Sequence, residues 1–140
     1  MTDYPRLLHT VIDTTDVRGL AEFYRELLGL RYRPGDEPPT DGRPDRADWL
    51  VLTDEGGARK LAFQQVERLE RTTWPSHDVP MQMHLDCTVP DVEELRRHRA
   101  RAELLGAELV LDRTDDPDEP DEPLFVLADP SGHPFCLFVG

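Results

Sequence analysis

The two histidines His9 and His84 are the first candidates for chemistry, because each stands at the head of a β-prone run. The runs are Leu8-His9-Thr10-Val11-Ile12-Asp13 and Met83-His84-Leu85-Asp86-Cys87-Thr88-Val89. Imidazole is the side chain whose charge changes near neutral pH, so both are candidate acid–base or hydrogen-bonding groups. Asp13 lies four residues after His9, and Asp86 two after His84. Even spacing puts such pairs on one face of a strand. At about 3.3 Å per residue, only Asp86 is close enough to act together with its histidine. Cys87 and Cys136 both sit in apolar runs and read as small buried thiols, with no basic neighbour in sequence to activate them. Trp49 reads as an aromatic wall of a pocket and Trp74 as a packing anchor. Phe138 shares strand parity with Cys136 and reads either as pocket lining or as core. His98 and His133 are expected to face solvent. No glycine-rich phosphate loop, Cys-x-x-Cys pair or nucleophile elbow is present.

The elements that must position these groups repeat. An offset of 75 residues places His9 on His84, Asp16 on Asp91, Leu20 on Leu95, Val51 on Val126, Leu52 on Leu127, Asp54 on Asp129 and Gly57 on Gly132. Each copy reads as strand, helix and three strands. The first strand spans roughly 7–14, and its helix starts at a cap near Thr15 or Asp16. That helix carries the apolar stripe Val17, Leu20, Tyr24, Leu27 and Leu28 and stops at Gly29. The second helix follows Pro90 with Asp91 and Glu94 in capping-box spacing, and its expected buried face is Val92, Leu95, Ala102 and Leu105. Further strands are expected near 30–33, 49–53, 61–66, 108–112, 124–128 and 135–139. Hairpin turns lie at 54–57 and 129–132. One helix covers only one face of a four-stranded sheet, so the other face needs a partner, and the sister module is the obvious one. The expected fold class is α+β: two tandem βαβββ modules, 7–66 and 82–139, joined by a linker over 67–81. They would form a single domain over 1–140 whose curved mixed sheet surrounds a cleft, where function is expected.

Bulk composition narrows the partners. Hydrophobic residues are 38% of the 140 and charged residues 32%, enough apolar material for one real core. The formal net charge of −13 repels phosphate backbones and anionic headgroups, which argues against nucleic acid and membrane partners. A cationic small molecule is the partner such a surface would favour if the charge faced the cleft, and the aromatic cleft candidates would suit an aromatic one. The segment 115–122, rich in Asp, Glu and Pro, is most simply an acidic solvated loop. No apolar run reaches the ~18 residues of a membrane helix, and the first residues lack the pattern of a signal peptide, so a cytoplasmic location is expected.

Three stretches resemble the vicinal oxygen chelate superfamily, the glyoxalase, bleomycin-resistance and dioxygenase fold. They are the histidine-started first strands, Ala-Glu-Phe-Tyr-Arg-Glu-Leu-Leu-Gly-Leu at 21–30 and Asp-Pro-Ser-Gly-His-Pro-Phe-Cys-Leu at 129–137. In metal-dependent members, the first and last strands of each module each give a ligand to one divalent ion. The resemblance therefore implies His9 and His84 as metal ligands. Cys136 stands where the second module's glutamate usually falls. The first-module equivalent is Leu61 or Ala62, with Gln64 the nearest side chain able to ligate. Two imidazoles without a carboxylate suit a hard ion poorly, so a degenerate metal site is expected. The divalent candidates are zinc, nickel, manganese and iron, and a His2Cys zinc site would be the softer variant. The cleft candidates are His9, Trp49, Gln64, His84, Asp86, Cys136 and Phe138, and no catalytic residue follows. The resemblance implies a small-molecule-binding protein that forms a homodimer. The alternative it implies is a metal-dependent lyase, isomerase or dioxygenase acting on a substrate with vicinal oxygens.

Overall fold

The computed structural model describes residues 3–140, which divide into two compact units, one ending at Leu69 and one running from Glu70 to Gly140. The first unit contains β1 (Thr10–Thr14), α1 (Val17–Leu28), β2 (Arg31–Tyr32), β3 (Trp49–Thr53) and β4 (Arg59–Gln65). The second contains β5 (Leu85–Val89), α2 (Val92–Leu104), β6 (Glu108–Asp112), β7 (Leu124–Ala128) and β8 (Pro134–Val139). Their sheets have the same order, β1-β4-β3-β2 and β5-β8-β7-β6. In both, the first and last strands pair in parallel and the other pairs are antiparallel. The duplication read from the 75-residue offset is therefore a duplication of topology. Among the described residues, no helix is long and apolar enough to cross a membrane.

Alternation along each first strand separates the faces. Ile12 and Thr14 are buried beneath α1, whereas Val11 and Asp13 are exposed on the opposite face. In β5, Val89 is buried and Asp86 and Thr88 are exposed. β1 begins later than expected. Leu7 and Leu8 are 93% and 58% exposed, and parallel pairing with β4 starts only at Thr10 opposite Leu61.

α1 starts where the Asp16 carboxylate accepts the Gly19 N–H at 3.0 Å. A Cβ on Gly19 would stand 2.2 Å from that carboxylate, so glycine here leaves room for the cap. The helix ends at Gly29, whose φ of 65° lies in the left-handed region. Its buried face is Val17, Leu20, Ala21, Phe23, Tyr24 and Leu27, and Tyr24 stacks on Phe63 of β4 at 5.8 Å. Leu28, expected in the stripe, is 37% exposed; the packed face widens instead toward Phe23, which meets Tyr24 edge-on at 5.0 Å.

α2 is capped by Asp91, whose carboxylate accepts the Glu94 N–H at 2.8 Å. Only half of the expected box forms, because the Glu94 side chain turns outward to Arg97 (2.7 Å) and His98 (3.3 Å). Its buried residues are Leu95 and Ala102 alone. Val92, expected in the core, is 41% exposed in the first turn, and Leu105 is half-buried.

The two hairpin turns share the same framework of bonds. Gly57 and Gly132 donate to the Asp54 and Asp129 carbonyls at 3.0 and 2.8 Å. Each aspartate carboxylate also accepts a backbone N–H four residues on, from Ala58 at 2.9 Å and His133 at 3.1 Å. His133 and His98 are half-buried rather than solvent-facing. For His98 the reason is packing along its helix, where Arg97 and Arg101 both approach the ring, at 2.9 and 3.3 Å.

Candidate functional site

Register in the second unit brings together three groups that were separate in sequence. Asp86 of β5 pairs directly with Cys136 of β8. His84 precedes β5 by one residue, and its Nε2 lies 3.2 Å from an Asp86 carboxylate oxygen. One donor atom from each of His84, Asp86 and Cys136 lies within 4.8 Å of the others. His84 and Asp86 are exposed, while Cys136 is buried in the sheet, so the trio is anchored at the sulfur and open at its nitrogen and oxygen.

Electrostatics fix the resting state of the sulfur. Burial, then the Asp86 carboxylate beside it, pushes the Cys136 thiol up to about 11. The thiol is thus protonated at neutral pH and hydrogen-bonded with Asp86, so it is a poor free nucleophile. Arg113, just past β6, pulls in the opposite direction. That guanidinium is already held by the acidic loop, against Asp116 at 3.5 Å and Glu119 more closely. Cys87 also titrates near 11, for burial and then Asp86, but belongs by parity to the other side of the sheet.

Imidazole nitrogen, carboxylate oxygen and thiol sulfur at this spacing fit a divalent ion of borderline softness. The carboxylate absent from the last strand comes here from the first strand of the same unit, as Asp86. Binding would have to displace the thiol proton, so affinity must fall as pH drops.

The register-equivalent positions in the first unit carry no such set. Val11 pairs with Ala62 where Asp86 pairs with Cys136. His9 lies 6.1 Å from the Trp49 ring, and its Nδ1 is buried without a hydrogen-bond partner among the described residues. Burial, then the charges of Arg59 and Arg33, lower its pKa and favour neutral imidazole. Gln64 lies level with Asp13 and Trp49. That places it about 13 Å along the strand from the level of His9, so the structure does not bring the two together. Phe138 is half-buried, level with Thr88 and one pleat beyond Cys136. Arg113, Arg33 and Arg59 were not anticipated as neighbours of these sites, because nothing local in the sequence distinguishes them from other surface arginines.

Comparison with known proteins gives one family and a consistent fold. A glyoxalase-like domain model matches residues 9–138, across both units. A glyoxalase/bleomycin resistance protein/dioxygenase family enzyme from Burkholderia phytofirmans PsJN superposes with a TM-score of 0.66 at 16% identity, over 94% of this chain and 96% of that one. The fosfomycin resistance protein FosX from Mesorhizobium loti gives 0.65 at 16% identity, over 100% and 94%. A variant of FosX from Listeria monocytogenes, complexed with Mn(II) and 1S,2S-dihydroxypropylphosphonic acid, gives 0.66 at 16% identity over 100% and 94%. At such identity the likeness is one of fold. No curated protein matches the sequence. With two βαβββ units of identical topology and a family match over nearly its whole length, the chain belongs to the glyoxalase-like domain family of the vicinal oxygen chelate fold.

Proposed function

We propose that this is a metal-supported small-molecule-binding protein whose ion is held by His84, Asp86 and Cys136. The observation that carries the reading is the convergence of three different donor types within 4.8 Å on one face of the second sheet. When bound, a divalent ion would supply Lewis-acid polarisation to the vicinal oxygens of a ligand. The protein's own residues account for the rest. Cys136 ties the site to an inner strand of the sheet, and Asp86 orients the His84 imidazole through their 3.2 Å contact. The exposed side of His84 and Asp86 leaves room for a ligand to approach. A sulfur donor beside nitrogen and oxygen favours zinc or nickel over manganese. On the resemblance alone, His9 is a further candidate ligand.

The test is metal content after dialysis against zinc, nickel, manganese and iron(II), together with the absorption spectrum of the cobalt(II) form. One equivalent of zinc per chain and a sulfur-to-cobalt charge-transfer band are expected. Cys136→Ser should abolish the band, and His84→Ala and Asp86→Asn should each lower metal content by an order of magnitude or more. His9→Ala, assayed alongside, shows whether that histidine contributes. No bound metal in the wild type would sink the reading.

A second reading is metal-free ligand binding, of the kind the bleomycin-resistance resemblance implies. It draws on the Cys136 thiol near 11, which at neutral pH offers a protonated sulfur hydrogen-bonded to Asp86 rather than a ready ligand. Under this reading, ligand affinity would be indifferent to chelator.

A further inference from the structure

The first unit contains a separate cavity of about 890 Å³, walled by the loop 35–47 and by residues of α1 and β3. Its size falls in the range of small-molecule sites. The loop is braced at both ends by one residue. Arg18 of α1 donates from Nη1 to the Asp36 carbonyl at 2.7 Å and from Nε to the Asp45 carboxylate at 2.6 Å, while its guanidinium lies 5.0 Å from the Tyr32 ring centroid. Asp36 in turn accepts from the Val51 N–H at 2.9 Å and pairs with Arg33 at 3.1 Å. Three prolines, Pro38, Pro39 and Pro44, stiffen the wall between these anchors. A loop held this way keeps its cavity without a ligand to organise it, which lowers the ordering cost of binding.

The polar groups facing the cavity are unevenly committed. Each acid in the lining already accepts: Asp36 from Arg33 and Val51, Glu37 from the Gly35 N–H at 2.8 Å, and Asp45 from Arg18 and the Ala47 N–H at 3.2 Å. Three donors remain. Among the described residues, no hydrogen bond or ion pair engages the Arg46 guanidinium, the Thr40 hydroxyl or the Trp49 indole N–H, and all three residues line the cavity. With Asp36 and Asp45 each paired to an arginine, the spare Arg46 cation, the Thr40 and Trp49 donors and an apolar wall of Trp49, Leu50 and prolines select an acceptor-rich, negatively charged ligand with a flat apolar body. We propose that this cavity binds a small aryl carboxylate, with its carboxylate on Arg46 and its ring against Trp49. The site lies wholly within the first unit and does not depend on the ion reading above.

Isothermal titration with benzoate and 2-naphthoate tests it, alongside the neutral naphthalene-2-carboxamide and the cationic naphthalen-2-ylmethylammonium. EDTA is present throughout, so that carboxylate binding to a metal does not contribute. Saturable binding of at least one aryl carboxylate is expected, with the amide about tenfold weaker or worse and the cation not bound. Arg46→Gln, a surface change that leaves the loop braces intact, should weaken the carboxylate by about tenfold or more. Trp49→Leu should weaken both carboxylate and amide, and His84→Ala should weaken neither. Absence of binding by both carboxylates, equal binding of anion and cation, insensitivity to Arg46→Gln, or a loss on His84→Ala would each overturn the proposal.

Discussion

At matched register positions the two units hold opposite chemistry: Val11 opposite Ala62 in the first, Asp86 opposite Cys136 in the second. Both follow a histidine at the head of the first strand, and both sheets have the same order. The helices differ in the same spirit. α1 buries six residues and is anchored by Tyr24 on Phe63, whereas α2 buries only Leu95 and Ala102 and spends its remaining length on Arg–Glu pairs. The topology was retained in both copies, while the first unit invests its residues in a core and a braced cavity and the second presents a donor cluster. A repeated fold therefore transmits position, and the side chains at two paired sites decide which copy gathers a cluster of donor atoms.

The change with the largest expected effect transplants the second unit's pair into the first. Val11→Asp with Ala62→Cys should raise cobalt(II) stoichiometry by one equivalent per chain and add a second charge-transfer contribution. The new site should be the weaker one, because Arg33 and Arg59 place positive charge near His9. An unchanged spectrum would show that register alone does not make the site. Next in size is Phe63→Ala, which removes a fully buried ring from beneath Tyr24 and should cost about 3–5 kcal/mol by urea denaturation. Its counterpart Leu137→Ala has no stacked ring above it and should cost less, and a reversal would refute the view that the first unit has the better core. Val17 and Val92, equivalent at the 75-residue offset, are 4% and 41% exposed. Val17→Ala should thus destabilise by about 1–2 kcal/mol and Val92→Ala by no more than ~0.5.

The smallest effect concerns pH. Burial first, then Arg97 and Arg101, hold the His98 imidazole below its usual value, with Glu94 pulling the other way. As pH falls through about 6.5 the unfolded chain takes up a proton that folded His98 still refuses, so stability declines on acidification until the folded residue protonates too. His98→Gln should flatten the stability profile between about pH 7 and 5. A profile as steep as the wild type's would assign the slope to other groups.

Much of this architecture was legible from local pattern. β3 and β7 have the expected bounds, because Trp49–Thr53 and Leu124–Ala128 are short apolar runs closed by Asp turns. The parity of His84 and Asp86 was legible for the same reason, since side chains on a strand repeat every two residues. Their meeting with Cys136 was not. It depends on the register of a parallel pair whose strands lie about fifty residues apart in sequence, and nothing local encodes that register. The cavity of the first unit was equally hidden, because its braces run from Arg18 to Asp36 and Asp45 across a loop with no periodic signal. Val92 and Leu28 misled because hydrophobicity marks a helix face but not where along the helix the sheet reaches.

In each sheet the strand that comes last along the chain, β4 or β8, is an inner one with neighbours on both sides. During synthesis, β5 and β7 must therefore wait with unsatisfied edges until residues 134–139 emerge and slot between them. The step that closes the second sheet is also the step that delivers Cys136 to Asp86. Assembly of the donor cluster is thus tied to completion of the second sheet, because Cys136 comes level with Asp86 only through the pairing of β5 with β8.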